Sequence, residues 1–425
     1  MQIDPYAGNI LIAPLGPILD VTEINTALTY LPAPPPLNIG EIPRHIRMHH
    51  LMSIRDLHLP SLEGTRLVNT IDLMMRQSYK YRDPLKPATW ASLIDSPSSR
   101  SSPKTPAMAA GVNGHSGTGK TEAILRGLSL YPRLVLHDSF PRIQGAHYQV
   151  PWLSVDVPSS GRAEHLAASL MMAWDQILES ELPTSSPRFT ASLQKSKRDG
   201  ARMLDEWRQV AASHFLGLLH LDEVQNFFHI PTLEKRRQRK SGSNDLELRI
   251  SEDQCLKWIL TLTNTGRIAL LFSGTPDGLN ALFKRISNVQ RIVTSGYHNF
   301  GRFTGAEADP FKQVFFPTLL NYQYVKTRIK KDEEDALAEL IITLSAGVRR
   351  LIIALWIGAH RISFERSQDD SLRLNDFKRA AETFLAPVAP AVAALNTGDP
   401  RLMSRYEDLC GDQGFWETFW GQGSS

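Results

Sequence analysis

The chain has 425 residues, of which 42% are hydrophobic and 21% charged, a composition that suits one large domain or two to three small ones. Lys and Arg total 47 against 44 Asp and Glu, so the net charge of +3 does not by itself indicate a nucleic-acid-binding protein. Cys255 and Cys410 form neither a disulfide framework nor a zinc pattern, which favours a reducing, cytoplasmic location. The N-terminus lacks a signal-peptide pattern and the longest apolar run, residues 351–359, is too short for a bilayer, so we expect no membrane segment.

The first part of the chain is rich in proline, histidine and arginine and contains LPAPPPL. This composition predicts an extended N-terminal arm over residues 1–60. Apolar residues then recur at helical spacing from Leu62 to Tyr81, which predicts a helix that the prolines of YKYRDPLKP end. A Ser/Pro-rich spacer, residues 96–106, leads to a short strand predicted in AMAAGVN.

The sequence GHSGTGKT follows that strand with the spacing of a phosphate-binding loop. Glycines let the backbone approach a phosphate closely, Lys120 brings a positive charge to the β- and γ-phosphates, and the Thr121 hydroxyl can ligate Mg²⁺. The helix predicted to follow adds its dipole to the site. The chemistry indicated is binding of ATP with Mg²⁺, against the alternative of a chance match. The predicted nucleotide-binding residues are Gly114, His115, Ser116, Gly117, Thr118, Gly119, Lys120, Thr121 and Glu122.

Strands and helices alternate after this loop. Strands are predicted in RLVLHD, VPWLSVDV, HFLGLLHLDE and RIALLFSGT, and helices in AEHLAASLMMAWDQIL and DQCLKWILTLTN. Strands separated by helices predict a parallel sheet covered on both faces, so the fold class is α/β, with a nucleotide-binding core over residues 61–308. DEEDALAELIITLSAG, VRRLIIALWIGAHRIS and NDFKRAAETFLA predict a helical lid over residues 309–395, followed by a tail, residues 396–425.

The strand in LLHLDE ends in two acidic residues. In-line attack on a γ-phosphate needs charge neutralisation and a positioned water, so Asp222 is predicted to hold Mg²⁺ and Glu223 to polarise the water. The strand in RIALLFSGTP ends in Ser273, Gly274 and Thr275. We assign Thr275 as the side chain that senses the γ-phosphate or orients water. The alternative is that Thr275 belongs to an ordinary turn.

This order of phosphate loop, acidic-ended strand, polar-ended strand and helical lid resembles the AAA+ ATPases. The resemblance implies an oligomer in which an arginine of one subunit completes the neighbouring site. Arg291 is preferred to Arg285 and Arg302 because it lies where a helix should end, the alternative for each being a solvated surface charge. In the lid, SAGVRRLIIALW resembles the sensor-two segment, which implies that Arg350, or its neighbour Arg349, reaches the γ-phosphate.

Within the AAA+ ATPases, four stretches resemble the TnsC/TniB family of regulators of DNA transposition: MRQSYKYRDPL, WLSVDVPSSGRAEHL, HLDEVQNF and LFSGTPDGLNALF. The resemblance covers residues 62–362, and its specific parts are the turn after VDVP and the N-terminal YKYRDP. It implies an ATP-dependent ring or helical filament on duplex DNA, bound without sequence preference, that links a target-selection protein to a transposase. One departure from the family pattern is a basic insertion, residues 234–250.

Two loops are candidates for contacting DNA, because small polar and basic side chains bind phosphates without reading sequence. PSSGRAEH offers Ser159, Ser160 and Arg162, and the resemblance favours it as the pore-facing contact. The second is the basic run of the insertion, whose alternative role is a solvated loop. That run comprises Lys235, Arg236, Arg237, Arg239 and Lys240.

The C-terminal stretch GFWETFWGQG carries the aromatic residues Phe415, Trp416, Phe419 and Trp420 and is predicted to dock in a partner's groove, the alternative being packing on the lid.

Two other classes of protein share this nucleotide-binding core. A STAND-like signalling or defence ATPase uses the nucleotide as a switch without DNA and is expected to bring a long repeat or effector domain. An initiator or helicase-loader is expected to append a winged helix after the lid, for which residues 396–425 are too few.

Overall fold

The computed structural model describes residues 4–94, 108–183, 185–194, 199–229, 249–250, 253–265, 267–285, 293–366 and 369–399. The chain divides into two compact units. The first comprises Met1–Ala27, Leu62–Gly114 and Lys120–Asn299, and the second comprises Leu28–Ser61, His115–Gly119 and Phe300–Ser425. The predicted core therefore falls mostly in the first unit, and the predicted lid falls in the second together with part of the N-terminal arm.

In chain order the described α-helices are α1 (Val21–Leu28), α2 (Arg44–Leu51), α3 (Leu62–Lys80), α4 (Pro87–Ile94), α5 (Lys120–Leu128), α6 (Ala163–Glu181), α7 (Thr190–Leu193), α8 (Gly200–Ser213), α9 (Asp253–Thr265), α10 (Pro276–Arg285), α11 (Ala308–Pro310), α12 (Phe316–Leu320), α13 (Glu334–Ser345), α14 (Arg349–Glu365), α15 (Leu374–Thr383) and α16 (Ala389–Asn396). The described strands are β1 (Ala109–Asn113), β2 (Val135–His137), β3 (His147–Gln149), β4 (Trp152–Asp156), β5 (Leu218–Asp222), β6 (Phe228–His229), β7 (Arg249–Ile250), β8 (Ala269–Gly274) and β9 (Gly296–Asn299).

The first unit is built on a five-stranded sheet with the order β4-β5-β8-β1-β9. Each neighbouring pair is parallel, which confirms the predicted parallel α/β sheet. The register pairs Asn113 with Gly274 and Asp156 with Asp222, so the carboxyl ends of these four strands share one edge. Loops at that edge are where open α/β sheets place their ligands.

One predicted strand lies outside the five-stranded sheet. RLVLHD forms β2, which pairs with β3 in a separate antiparallel hairpin. Its apolar run resembles that of a buried strand, and only the pairing distinguishes the two. Conversely, β9 completes the edge of the main sheet beside β1, although the polar composition of GYHN gave no strand signal.

The core of the first unit packs α6 and α8 against the sheet. Trp174 and Trp207 are fully buried there and meet edge to face with ring centroids 6.3 Å apart. All residues of β5 and β8 are buried, as expected of strands covered on both faces. This packing holds the carboxyl edge of the sheet in place.

The prediction of an extended arm over residues 1–60 is wrong for the described part. Residues 4–27 pack within the first unit, where Leu11 is fully buried and its carbonyl accepts a hydrogen bond from Gln149. In the second unit Leu51 and Ile54 are fully buried. Arg47, 2% exposed, donates both of its Nη groups to the carboxylate of Asp370. A proline-rich composition does not reveal such long-range partners.

The second unit contains the helices predicted for the lid, as α13, α14 and α15. Their apolar faces enclose Trp356 and Phe377, whose ring centroids lie 5.5 Å apart.

Among the described residues no single helix is long and apolar enough to cross a membrane. One bent pair of helices, Lys331–Ser345 with Arg349–Glu365, meets the criteria for a membrane span by length and composition alone.

Candidate nucleotide-binding site

The phosphate loop connects β1 to α5. Gly117 and Gly119 have φ angles of +82° and +95°, a left-handed backbone that glycine adopts without strain. The Thr118 hydroxyl donates to the carbonyl of His115 at 2.8 Å and so closes the turn. Tight left-handed turns of this kind form the anion-binding concavity of phosphate loops.

Within the first unit, the beginning of α5 meets the end of β5. Lys120 is 8% exposed and its ammonium donates to the Gly114 carbonyl at 2.6 Å. The Thr121 hydroxyl donates to Asp222 Oδ2 at 2.6 Å. A hydroxyl and a carboxylate in contact are the oxygen ligands that Mg²⁺ prefers, so these two residues fit the predicted ion. Glu122, by contrast, pairs with Arg126 on the exposed side of α5.

Four polar side chains form a hydrogen-bonded chain across the sheet. Ser154 pairs with His220 in the register of β4 and β5, and their side chains meet at 2.8 Å through Nδ1. His220 Nε2 lies 2.7 Å from the Ser273 hydroxyl, which in turn donates to Asp222 Oδ1. His220 and Asp222 are two residues apart on one strand and therefore share a face of the sheet.

The direction of each hydrogen bond in this chain follows from its ends. An ionised Asp222 only accepts, so the Ser273 hydroxyl donates to it and must accept from His220 Nε2. Burial lowers the pKa of His220 to about 4, which leaves the ring neutral at pH 7. Its Nδ1 therefore accepts from Ser154.

The carboxyl of Asp222 is held ionised by its neighbours. Burial alone would raise its pKa, but the hydrogen bonds from Ser273, Thr121 and the Glu223 N–H outweigh that effect and lower the pKa. An ionised carboxylate is the form that binds a metal ion. Sequence analysis missed Ser273 and His220 as partners of Asp222; the two-residue spacing in LLHLD was the available signal.

Glu223 follows directly, in a left-handed conformation with φ of 55°. Its N–H donates to Asp222 Oδ1 at 2.8 Å, and its side chain receives a hydrogen bond from Gln225 Nε2. Partial burial of the carboxyl group, followed by the nearby Asp222 charge, raises the pKa of Glu223. A carboxylate with a raised pKa is a better proton acceptor, as a general base requires.

The polar tip of β8 contacts this pair of acids differently from the prediction. Ser273 reaches Asp222 through its hydroxyl, whereas the Thr275 hydroxyl accepts from the Gly278 N–H at 3.3 Å at the start of α10. The Thr275 N–H donates to Gln225 Oε1 at 3.2 Å. The described contacts of Thr275 are thus those of a turn, and its sensing role stays a prediction.

Within the second unit the two arginines of α14 have different environments. The Arg350 N–H donates to the Gly117 carbonyl at 3.1 Å, and the Arg350 side chain is exposed. Arg349 donates to the Leu59 carbonyl at 3.2 Å and stacks 4.7 Å over the ring of Phe303. Burial lowers the pKa of Arg349, which its packed position explains. Arg350 is thus the more exposed of the two, and its contact with the γ-phosphate stays a prediction.

Comparison with known proteins agrees with this geometry. Residues 106–283 match the family model described as an AAA domain. Over these residues the chain is similar to an AAA domain. The match contains the phosphate loop, Asp222 and Glu223, and it supports membership of the AAA+ ATPase superfamily, whose domains bind and hydrolyse nucleotides with Mg²⁺. No curated protein matches the chain.

The arginines proposed to act in a neighbouring AAA domain are only partly described. Arg302 donates to the Ala346 carbonyl at 2.8 Å and so satisfies the end of α13 in its own chain. Arg285 is the last residue of α10, but its side chain lies outside the described residues, as does all of Arg291. Because Arg302 has this contact within its own chain, Arg285 and Arg291 are the favoured candidates for completing a neighbouring subunit's site.

The turn after β4 lies at the carboxyl edge of the AAA domain sheet. The Gly161 N–H donates to the Pro158 carbonyl at 2.8 Å, and Ser160 contacts His165 Nδ1 at 2.7 Å. Arg162 precedes α6, is 60% exposed, and lies 3.0 Å from Glu164. The other predicted contacts lie outside the described residues: Lys235, Arg236, Arg237, Arg239, Lys240 and the aromatic residues Phe415, Trp416, Phe419 and Trp420.

Proposed function

We propose that this chain is an ATP-hydrolysing AAA+ regulator of DNA transposition, which assembles on duplex DNA and links a target-selection protein to a transposase. The contact between Thr121 and Asp222, beside a left-handed Glu223, carries the ATPase part of the proposal. The tight turn at residues 158–161 carries the DNA part, because it is one of the two specific parts of the resemblance to the TnsC/TniB family, the other being YKYRDP.

The proposed hydrolysis uses residues of the AAA domain in separate roles. Lys120 binds the phosphates, and Thr121 and Asp222 hold Mg²⁺, which when bound neutralises phosphate charge. Glu223 accepts a proton from the attacking water, a role for which its raised pKa is favourable. Arg350, whose N–H donates to the Gly117 carbonyl of the phosphate loop, contributes a positive charge.

The proposed DNA contact depends on a rigid turn. A side chain held by a tight turn loses less conformational entropy on meeting a phosphate than one on a long polar loop. Arg162 has such a position, and the N-terminus of α6 adds a favourable dipole for phosphate. In an oligomer the same contact repeats once per subunit, so weak contacts add to a stable assembly.

The ATPase proposal is tested by two substitutions with matched controls. Lys120→Ala should abolish nucleotide binding, because it removes the phosphate charge, whereas Glu223→Gln should retain binding and lose turnover. Lys80→Ala and Glu181→Gln change exposed residues of α3 and α6 and should leave both unchanged. Hydrolysis by Glu223→Gln at the wild-type rate would refute the assignment of the base.

The DNA proposal is tested by assembly. Electron microscopy and sedimentation with duplex DNA and a non-hydrolysable ATP analogue should show rings or filaments whose affinity for DNA falls steeply with salt. A chain that hydrolyses ATP but stays monomeric on DNA would exclude the transposition regulator and favour a nucleotide switch.

The ion pair between Arg162 and Glu164 sharpens this test. Arg162→Ala should weaken DNA binding and reduce the salt slope by about one, while leaving ATP binding intact. Glu164→Gln should strengthen DNA binding, since it removes a negative charge that pairs with Arg162 at 3.0 Å. A larger loss from neutralising the basic run than from Arg162→Ala would assign the contact to that run instead. The run comprises Lys235, Arg236, Arg237, Arg239 and Lys240.

A further inference from the structure

Gln225 lies between the proposed general base and the tip of β8. It belongs to the short 3-10 turn Val224–Phe227 and is 8% exposed. Its amide orientation is determined by its partners: the Thr275 N–H can only donate, so the atom facing it is Oε1, at 3.2 Å. The NH₂ group is therefore the part that faces Glu223, to whose Oε2 it donates.

Two glycines leave room for this side chain. A Cβ at Gly278 would lie 2.5 Å from Gln225 Cβ, and a Cβ at Gly274 would lie 2.8 Å from Gln225 Oε1. Neither glycine has a positive φ, so space rather than backbone conformation calls for glycine at these positions. The end of β8 and the first turn of α10 thus confine Gln225 to one arrangement.

We propose that Gln225 is a positioning residue for the Glu223 carboxylate, which it links to the main chain of Thr275; this rests on the proposed ATPase function. A glutamate side chain has several rotatable bonds, and the described residues give Glu223 one side-chain hydrogen bond, from Gln225. The tip of β8 therefore reaches both acids. Ser273 contacts Asp222 directly, and Thr275 contacts Glu223 through Gln225.

Two variants separate positioning from packing. Gln225→Met keeps the length of the side chain and removes both polar contacts. Gln225→Glu keeps the shape and an acceptor for the Thr275 N–H, but it removes the donor to Glu223 and adds a like charge beside it. Gln209→Met is the control, since Gln209 donates to Asp205 on the exposed side of α8.

The measurements are kcat and KM for ATP, the affinity for a fluorescent ATP analogue, and the melting temperature. Both Gln225 variants should lower kcat by about tenfold to a hundredfold, the effect of losing one hydrogen bond to a charged group, with KM and nucleotide affinity within about twofold of wild type. Gln225→Glu should be at least as impaired as Gln225→Met, although it retains the Thr275 contact. The Gln209→Met protein should behave as wild type.

Three results would overturn the inference. These are a wild-type kcat in Gln225→Met, recovery of kcat in Gln225→Glu, or a parallel loss of kcat, nucleotide affinity and melting temperature, which would indicate packing alone. Failure of the proposed function is distinguishable, since the wild-type chain itself would then show no ATP hydrolysis.

Discussion

Replacing Ser273 with alanine is expected to weaken Mg²⁺-dependent nucleotide binding by about tenfold to a hundredfold. The Ser273 hydroxyl donates directly to Asp222 Oδ1, and a hydrogen bond to a charged group contributes about 1.5–3 kcal/mol. Residues that orient a metal ligand typically change metal affinity by a similar factor. The predicted loss of affinity therefore concerns Mg²⁺-dependent nucleotide binding, which needs the Asp222 carboxylate in place.

The effect of a substitution on Mg²⁺ dependence should decrease with distance from Asp222 along the hydrogen-bonded series of side chains. His220→Leu acts only through Ser273, so its effect on Mg²⁺ dependence should be smaller than that of Ser273→Ala. Because it leaves the buried Ser273 hydroxyl without a donor, it should also cost about 1–3 kcal/mol of folding stability. Ser154→Ala, at the far end, should have the smallest effect on Mg²⁺ dependence.

The assay is titration of a fluorescent ATP analogue over a range of Mg²⁺ concentrations, with EDTA as the reference condition. Nucleotide binding in EDTA should be similar in all three variants, since the predicted contact of Lys120 with phosphate does not involve the hydrogen-bonded side chains of Ser154, His220 and Ser273. Equal losses with and without Mg²⁺, or an effect of Ser154→Ala as large as that of Ser273→Ala, would contradict the argument. Melting temperatures measured alongside separate misfolding from a specific loss.

The remaining predictions concern the second unit. Arg350→Ala should weaken ATP binding with little change in melting temperature, whereas Arg349→Ala should lower the melting temperature because it removes a packed cation; the reverse pattern would exchange their roles. Burial lowers the pKa of His360 to about 4, and the Tyr324 N–H donates to its Nε2, so protonation is disfavoured in the folded state. Since an unfolded histidine titrates near pH 6.5, the unfolded chain binds more protons below that pH, and stability should fall by up to about 3 kcal/mol between pH 6.5 and 4. Urea unfolding measured from pH 7 to 4 gives the free energy of unfolding as a function of pH. This free energy should fall less steeply in His360→Gln than in wild type or in the exposed control His49→Gln. An equal fall in all three proteins would contradict the assignment.

The sequence by itself determined the features that depend on local pattern. The phosphate loop needs left-handed glycines at fixed spacing, and Gly117 and Gly119 have that conformation. The acidic pair Asp222 and Glu223 follows an apolar strand that is buried on both faces, as its composition predicts. These relations span only a few residues, so spacing and periodicity are sufficient to predict them.

The tertiary structure alone decided which distant side chains meet. Strand order places Ser273 beside Asp222, a pairing that joins residues 51 positions apart. It likewise separates Arg349, which is packed on Phe303, from the exposed Arg350, although the two have identical chemistry and adjacent positions. Leu51 and Ile54, read from composition as part of an extended arm, become buried because helices three hundred residues away cover them. Side-chain type and spacing do not encode such neighbours, since strand register and helix packing are set by the burial of the whole chain.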